Sequence, residues 1–238
     1  MDDFDHLAPP RFPTAARPLL GLTILVVEDS RFASEAIRLM GLRSGARIRR
    51  ADCLASARRH LQVYRPSVMI IDLGLPDGSG ADLIAEMDET SPRVSVILGM
   101  SGDDGAENLA LGAGADGFLA KPVTSLAAFQ ESILSHLPAD RQPMGPRLLN
   151  EGHILPDPVS FRDDLAHAAE MLCESQDGRM LDYVAQFLGG IALSAQDAPL
   201  ADAAKALADS RRSSRACGSE AARLAGLVQQ RLSEQIAI

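Results

Sequence analysis

Lysine is almost missing from this chain: of 23 basic residues, 21 are arginine, and only Lys121 and Lys205 are lysine. Where arginine is the default cation, a lysine is a candidate for a site that needs a compact ammonium rather than a flat guanidinium fork. An excess of positive charge is lacking too. The net charge is −9; residues 1–139 hold 13 basic and 18 acidic side chains, and residues 140–238 hold 10 and 14. Both parts are acidic, which disfavours a general affinity for nucleic acid or anionic membrane. No apolar run reaches the ~20 residues of a membrane-spanning helix. The first residues, Met1-Asp2-Asp3-Phe4-Asp5, lack the basic start and apolar core of a signal peptide. A cytoplasmic protein with no membrane partner is therefore expected. Cys53, Cys173 and Cys217 are far apart, odd in number and without metal-ligand spacing, so reduced thiols are expected.

What the sequence does contain is an alternation of two periodicities. Residues 1–20, rich in Pro, Ala and Arg, read as a disordered arm. From Leu22 to Val27 runs a continuous apolar stretch of the kind buried on both faces of a parallel sheet. Ser30 then caps an amphipathic helix holding Phe32, Ile37 and Met40 and closed by Gly41. Further strands are expected near Ala46–Ala51, at Val68–Ile71, Val94–Leu98 and Gly117–Leu119. Helices are expected around Leu54–Leu61, Ala81–Met87, Glu107–Leu111 and Leu126–Leu137. Five strands alternating with five helices predict an α/β, doubly wound parallel sheet. In such sheets ligands sit beyond the carboxyl ends of the strands. Those ends carry Glu28-Asp29, Asp72, Ser101 and Lys121.

Three carboxylates gathered at one sheet edge repel one another and call for a cation. Oxygen donors without His or Cys favour Mg²⁺. One lysine beside them supplies a point charge for a phosphoryl oxygen, and the Ser101 hydroxyl can donate to another. Positioning and charge neutralisation of this kind suit phosphoryl transfer. The residues Glu28-Asp29, Asp72-Leu73-Gly74-Leu75-Pro76-Asp77-Gly78-Ser79-Gly80, Ser101-Gly102 and Lys121-Pro122 resemble the signature of bacterial two-component response-regulator receiver domains. The resemblance covers about residues 21–137. It implies a flavodoxin-like sheet of order 2-1-3-4-5, an order the fold family is known for. It also implies that Asp72 accepts phosphoryl from a histidine kinase or phosphotransfer protein. Asp29, Asp72 and the Gly74 carbonyl would bind Mg²⁺, with Glu28 holding the ion through water. Lys121, preceding a cis proline, would pair with the phosphoryl group. Ser101 and Phe118 would act as the switch pair. Ser101 stands where the family commonly has Thr, and Gly74 and Gly102 leave both flanks of the phosphorylation site bare.

Residues 138–158, with five prolines, read as a linker, and residues 159–238 as an all-α bundle of four amphipathic helices. The predicted faces are Phe161, Leu165, Ala169, Leu172; Met180, Val184, Phe187, Leu188, Ile191; Leu200, Ala204, Leu207; and Ala221, Leu224, Val228, Leu232. Asp197 reads as a helix cap, and the basic knot Arg211-Arg212-Ser213-Ser214-Arg215 as the charged end of a helix. The bundle bears a faint likeness to histidine phosphotransfer domains, with Lys205 where the histidine would stand. His167 sits on an Ala-rich helix, and no output enzyme signature is present. The expected function is a response regulator that signals through a helical protein-interaction domain, which could also form a homodimer. A DNA-binding transcription regulator and a phosphorelay intermediate are the alternatives. Residues Asp103–Leu137 are the expected route by which the receiver speaks to the helices.

Overall fold

Burial decides which of these runs become strands. The computed structural model describes residues 12–103, 105–143, 157–174, 178–213 and 216–234. In it β1 (Thr23–Val27), β3 (Val68–Asp72) and β6 (Val96–Ser101) are almost wholly buried, flanked by the more exposed β2 (Arg47–Ala51) and β7 (Gly117–Ala120). They pair in parallel in the order β2-β1-β3-β6-β7. This is the expected flavodoxin-like order once a small hairpin, β4 (Gly74–Leu75) with β5 (Gly78–Ser79), is counted. Five helices cover the two faces: α1 (Arg31–Arg43), α2 (Leu54–Val63), α3 (Gly80–Glu89), α4 (Ala106–Gly112) and α5 (Leu126–Leu134). Alternate strand residues feed two cores. Ile24, Val26, Ile70 and Leu98 pack with α1 and α5; Leu25, Val27, Ile71 and Ile97 pack with α2, α3 and α4.

Two expectations change. Gly41 does not end α1, which continues to Arg43; it is glycine because a Cβ there would stand 2.3 Å from Ile48 Cδ1 on β2. The arm does not extend to residue 20, since Leu19 is fully buried in the core and its N–H donates to Ser44 O at 2.9 Å. Residues 1–11 lie outside the described residues.

The C-terminal part is helical as expected: α6 (Pro158–Glu174), α7 (Gly178–Ser194), α8 (Ala198–Arg212) and α9 (Gly218–Glu234). Phe161, Leu165, Val184, Leu188, Leu207, Leu224 and Val228 form its buried core, whereas Met180 is exposed. Phe32 of α1 belongs to the same cluster and meets Phe161 at 5.6 Å between ring centroids. The bundle therefore rests on the start of α1 and on the strand ends. Within the expected route Asp103–Leu137, α7 reaches Asp103 by a hydrogen bond and comes close to the end of the Lys121 side chain. Most of the seam runs through Asp29–Phe32 and Gly74.

Candidate functional site

Five of the expected site residues lie at or just past the ends of central strands, while Phe118 lies within β7 and Gly74 within β4. Glu28 and Asp29 follow β1, Asp72 ends β3, Ser101 ends β6 and Lys121 follows β7. Helix α1 begins at once, with Ser30 as its cap: Ser30 Oγ accepts from Ala33 N at 3.0 Å. Ser30 N in turn donates to Glu28 Oε1 at 3.1 Å and to Asp29 Oδ1 at 3.0 Å, which holds both carboxylates in place. The nearby Gly74 backbone N–H favours the charged form of the Asp72 carboxylate. The Lys121–Pro122 peptide is cis, as the resemblance implied, and so is Ser91–Pro92.

The structure brings the acidic residues together. Glu28, Asp29 and Asp72 each present an oxygen within 4.8 Å of the others. Lys121 Nζ stands 2.8 Å from Glu28 Oε2 and 3.1 Å from Asp72 Oδ2, with its side chain only 7% exposed. Burial pushes the Asp72 carboxyl up to about 7, with the Glu28 charge adding to the push and Lys121 opposing it. Asp29 is also raised well above the usual range, by burial first and then by Glu28 and Asp72. Burial tends to lower the Lys121 ammonium, but Asp72 and Glu28 outweigh it and hold the group protonated. Three carboxylates facing one ammonium are short of positive charge, and hard oxygen donors fit Mg²⁺. The acidic cluster fits the ion by donor type and by closeness.

The remaining expected residues are placed less tightly. Ser101 is buried, and its Oγ accepts from Asp103 N at 3.2 Å. Phe118 is half-buried against the core of Ile97 and Ala110. Asp77 is a cap: its two oxygens accept from Leu54 N and Ala55 N at the start of α2. His167 is exposed and sets its ring edge-on to Phe187. Lys205 is exposed on α8 and lines the mouth of the same cleft as Asp72 and Lys121, a cleft of about 830 Å³.

Sequence reasoning missed three residues at this site. Tyr183 Oη of α7 donates to Asp29 Oδ2 at 2.5 Å. Gln186 Nε2 donates to Asp103 Oδ2 at 3.2 Å. Asp164 of α6, 3% exposed, accepts from Ser30 Oγ, Arg31 N and Phe32 N at 2.8, 2.9 and 3.0 Å. The bare flanks at Gly74 and Gly102 were the one signal that something packs there.

With this geometry in place, comparison with known proteins is decisive for the first part of the chain. The family model for the response regulator receiver domain matches residues 24–132. Residues 24–132 are a response regulator receiver domain. Similar curated proteins include the KDP operon transcriptional regulatory protein KdpE of Escherichia coli, 31% identical over 99 residues, covering 42% of this chain and 44% of that one. The transcriptional regulatory protein CitB of Klebsiella pneumoniae is 34% identical over 106 residues, covering 43% and 45%. The chain thus spans less than half the length of these relatives. Among solved structures, the receiver domain of the sensor histidine kinase PA1611 of Pseudomonas aeruginosa, with a magnesium ion in its cleft, is 27% identical with a TM-score of 0.44, covering 49% of this chain and 97% of that one. The chemotaxis response regulator CheY4 of Vibrio cholerae is 20% identical with a TM-score of 0.45, covering 49% and 98%. Receiver domains of this kind are modules of two-component signalling, for which aspartyl phosphorylation and Mg²⁺ binding are characteristic. None of the described helices is long and apolar enough to cross a membrane.

Proposed function

We propose that the receiver domain takes a phosphoryl group on Asp72 and that residues 159–238 pass its state to a protein partner. The observation that carries this reading is Lys121 Nζ, buried between Asp72 and Glu28 in a cluster of three carboxylates. An Asp72 oxygen forms the new O–P bond while the donor's P–N bond breaks and the histidine imidazole leaves with the electron pair. Glu28, Asp29, Asp72 and the Gly74 carbonyl would hold Mg²⁺, which supplies charge neutralisation at the phosphoryl oxygens. Lys121 keeps Asp72 ionised against the effect of burial and then pairs with a phosphoryl oxygen. Ser101 donates to another oxygen, with Phe118 following it. A histidine kinase or phosphotransfer protein is the donor. Signalling through contacts fits the helical part, where the sequence shows no catalytic set.

The test is intact mass after incubation with acetyl phosphate and Mg²⁺. Wild type gains one phosphoryl and Asp72→Asn gains none; equal modification of both would remove Asp72 from this role.

A second reading has a specific observation behind it. KdpE and CitB, among the relatives, are named transcriptional regulatory proteins, so the expectation against DNA is withdrawn and DNA joins the candidate targets. Mobility shift with genomic fragments across a salt series decides between the readings. DNA binding would weaken steeply with salt, by about 0.9 logarithmic units per logarithmic unit for each phosphate contacted. A protein-interaction domain shows no shift. The linker at 138–158 stays a proposal, since residues 144–156, and His153 with them, lie outside the described residues.

A further inference from the structure

Tyr183, Gln186, Gly190 and Leu193 follow one another at steps of three, four and three along α7, so they share one face of that helix. Every one of them meets the phosphoacceptor end of the receiver. Tyr183 donates to Asp29, and Gln186 donates to Asp103. A Cβ on Gly190 would touch Lys121 Nζ at 3.8 Å. A Cβ on Gly102 would stand 3.1 Å from Leu193 Cδ1, and one on Gly74 2.4 Å from Gln186 Nε2. The two bare flanks of the phosphorylation site are therefore the seats of this helix. A larger side chain at either would push Gln186 or Leu193 away. The opposite stripe of α7, with Val184, Leu188 and Ile191, is committed to the bundle core. Asp164 fastens α6 to the first backbone N–H groups of α1, directly beyond Asp29.

We propose that α7 is a built-in cover for the phosphoacceptor pocket, and that a divalent cation on Asp29 competes with Tyr183 for it. The proposal rests on the reading of Asp29 and Asp72 given above. Its physical basis is short. The Tyr183 proton occupies a lone pair of Asp29 Oδ2, which is then not free for a cation. A phosphoryl group on Asp72 then replaces the single carboxylate charge with about two and adds three oxygens to the cleft that α7 lines. Each event favours the form in which α7 has withdrawn. By linkage, docking of α7 weakens cation binding by the same factor that the cation weakens docking.

The experiment uses the full chain. Mg²⁺ affinity by calorimetry and the acetyl phosphate reaction rate by intact mass are compared for wild type, Tyr183→Phe and Gln186→Ala. Tyr183→Phe is expected to bind Mg²⁺ about tenfold more tightly and to react faster, the scale set by one hydrogen bond to a charged group. Gln186→Ala should move both in the same direction by less. Hydrogen exchange on wild type should show residues 178–194 losing protection when Mg²⁺ and beryllofluoride are added. Unchanged or weaker Mg²⁺ binding in Tyr183→Phe, or undiminished protection of α7 with the pocket filled, would overturn the cover. The calorimetric arm needs no phosphorylation. A chain that binds Mg²⁺ more tightly as Tyr183→Phe but takes no phosphoryl would therefore sink the Asp72 reading and leave the cover standing.

Discussion

Asp72 is 5% exposed and shares a single buried ammonium with Glu28, while Asp29 stands beside both. Desolvation and like charge make this arrangement costly to the folded state unless a cation is present. Removing one carboxylate should therefore help the fold. In metal-free buffer at pH 8, Asp72→Asn is expected to be more stable than wild type by about 1 kcal/mol, read from urea unfolding. The sign follows from the raised carboxyl: the fold favours its neutral form, and an amide is neutral at every pH. Lys121→Met should act in the opposite direction by about 3 kcal/mol, because it leaves the buried carboxylates without their cation. A loss of stability in Asp72→Asn would mean that Lys121 depends on Asp72 more than the acidic residues burden one another.

Helix ends do much of the positioning, and their caps come from distant elements. Asp77 caps α2 from the β4–β5 hairpin, and Asp164 caps α1 from the bundle. Asp164→Ala strips three donors, two of them buried, of their acceptor. It is expected to cost about 2 kcal/mol and to raise hydrogen exchange at Arg31–Ala33 and across α6 before the rest of the chain. Asp197 both caps α8 at Leu200 N and pairs with Arg231 of α9. The Arg231 guanidinium lowers the Asp197 carboxyl, so its stabilisation is fully present above the unfolded value of about 3.9 and is lost as pH falls below that. Asp197→Ala should cost about 1 kcal/mol at pH 7 and little at pH 2, checked by thermal melts.

The same helices show what a sequence carries and what it conceals. Strands such as Val68–Asp72 were legible because both faces are buried and the run is apolar throughout. The acidic residues were legible because each sits where such a strand ends. The hairpin at Gly74–Ser79 was not, since two-residue strands leave no periodicity. Gly41 looked like a stop because the Ile48 side chain that requires it comes from another element. Tyr183, Gln186 and Asp164 were hidden for a different reason. A polar residue on a helix reads as solvated until its tertiary partner is known, and their partners lie more than 80 positions away.

At the scale of the whole molecule, a receiver domain and a helical bundle meet at the end of the sheet where chemistry is expected. That sets α7 against the phosphoacceptor end of the receiver. The central claim is that Asp72 receives the phosphoryl group. Borohydride reduction tests it most directly, because hydride converts an aspartyl phosphate to homoserine while an unmodified carboxylate is left intact. The full chain would be treated with acetyl phosphate and Mg²⁺, reduced, digested and mapped by tandem mass spectrometry. The account predicts homoserine at position 72 and at no other aspartate. Homoserine at Asp29, or none at position 72 in a chain that has gained phosphoryl mass, would contradict it.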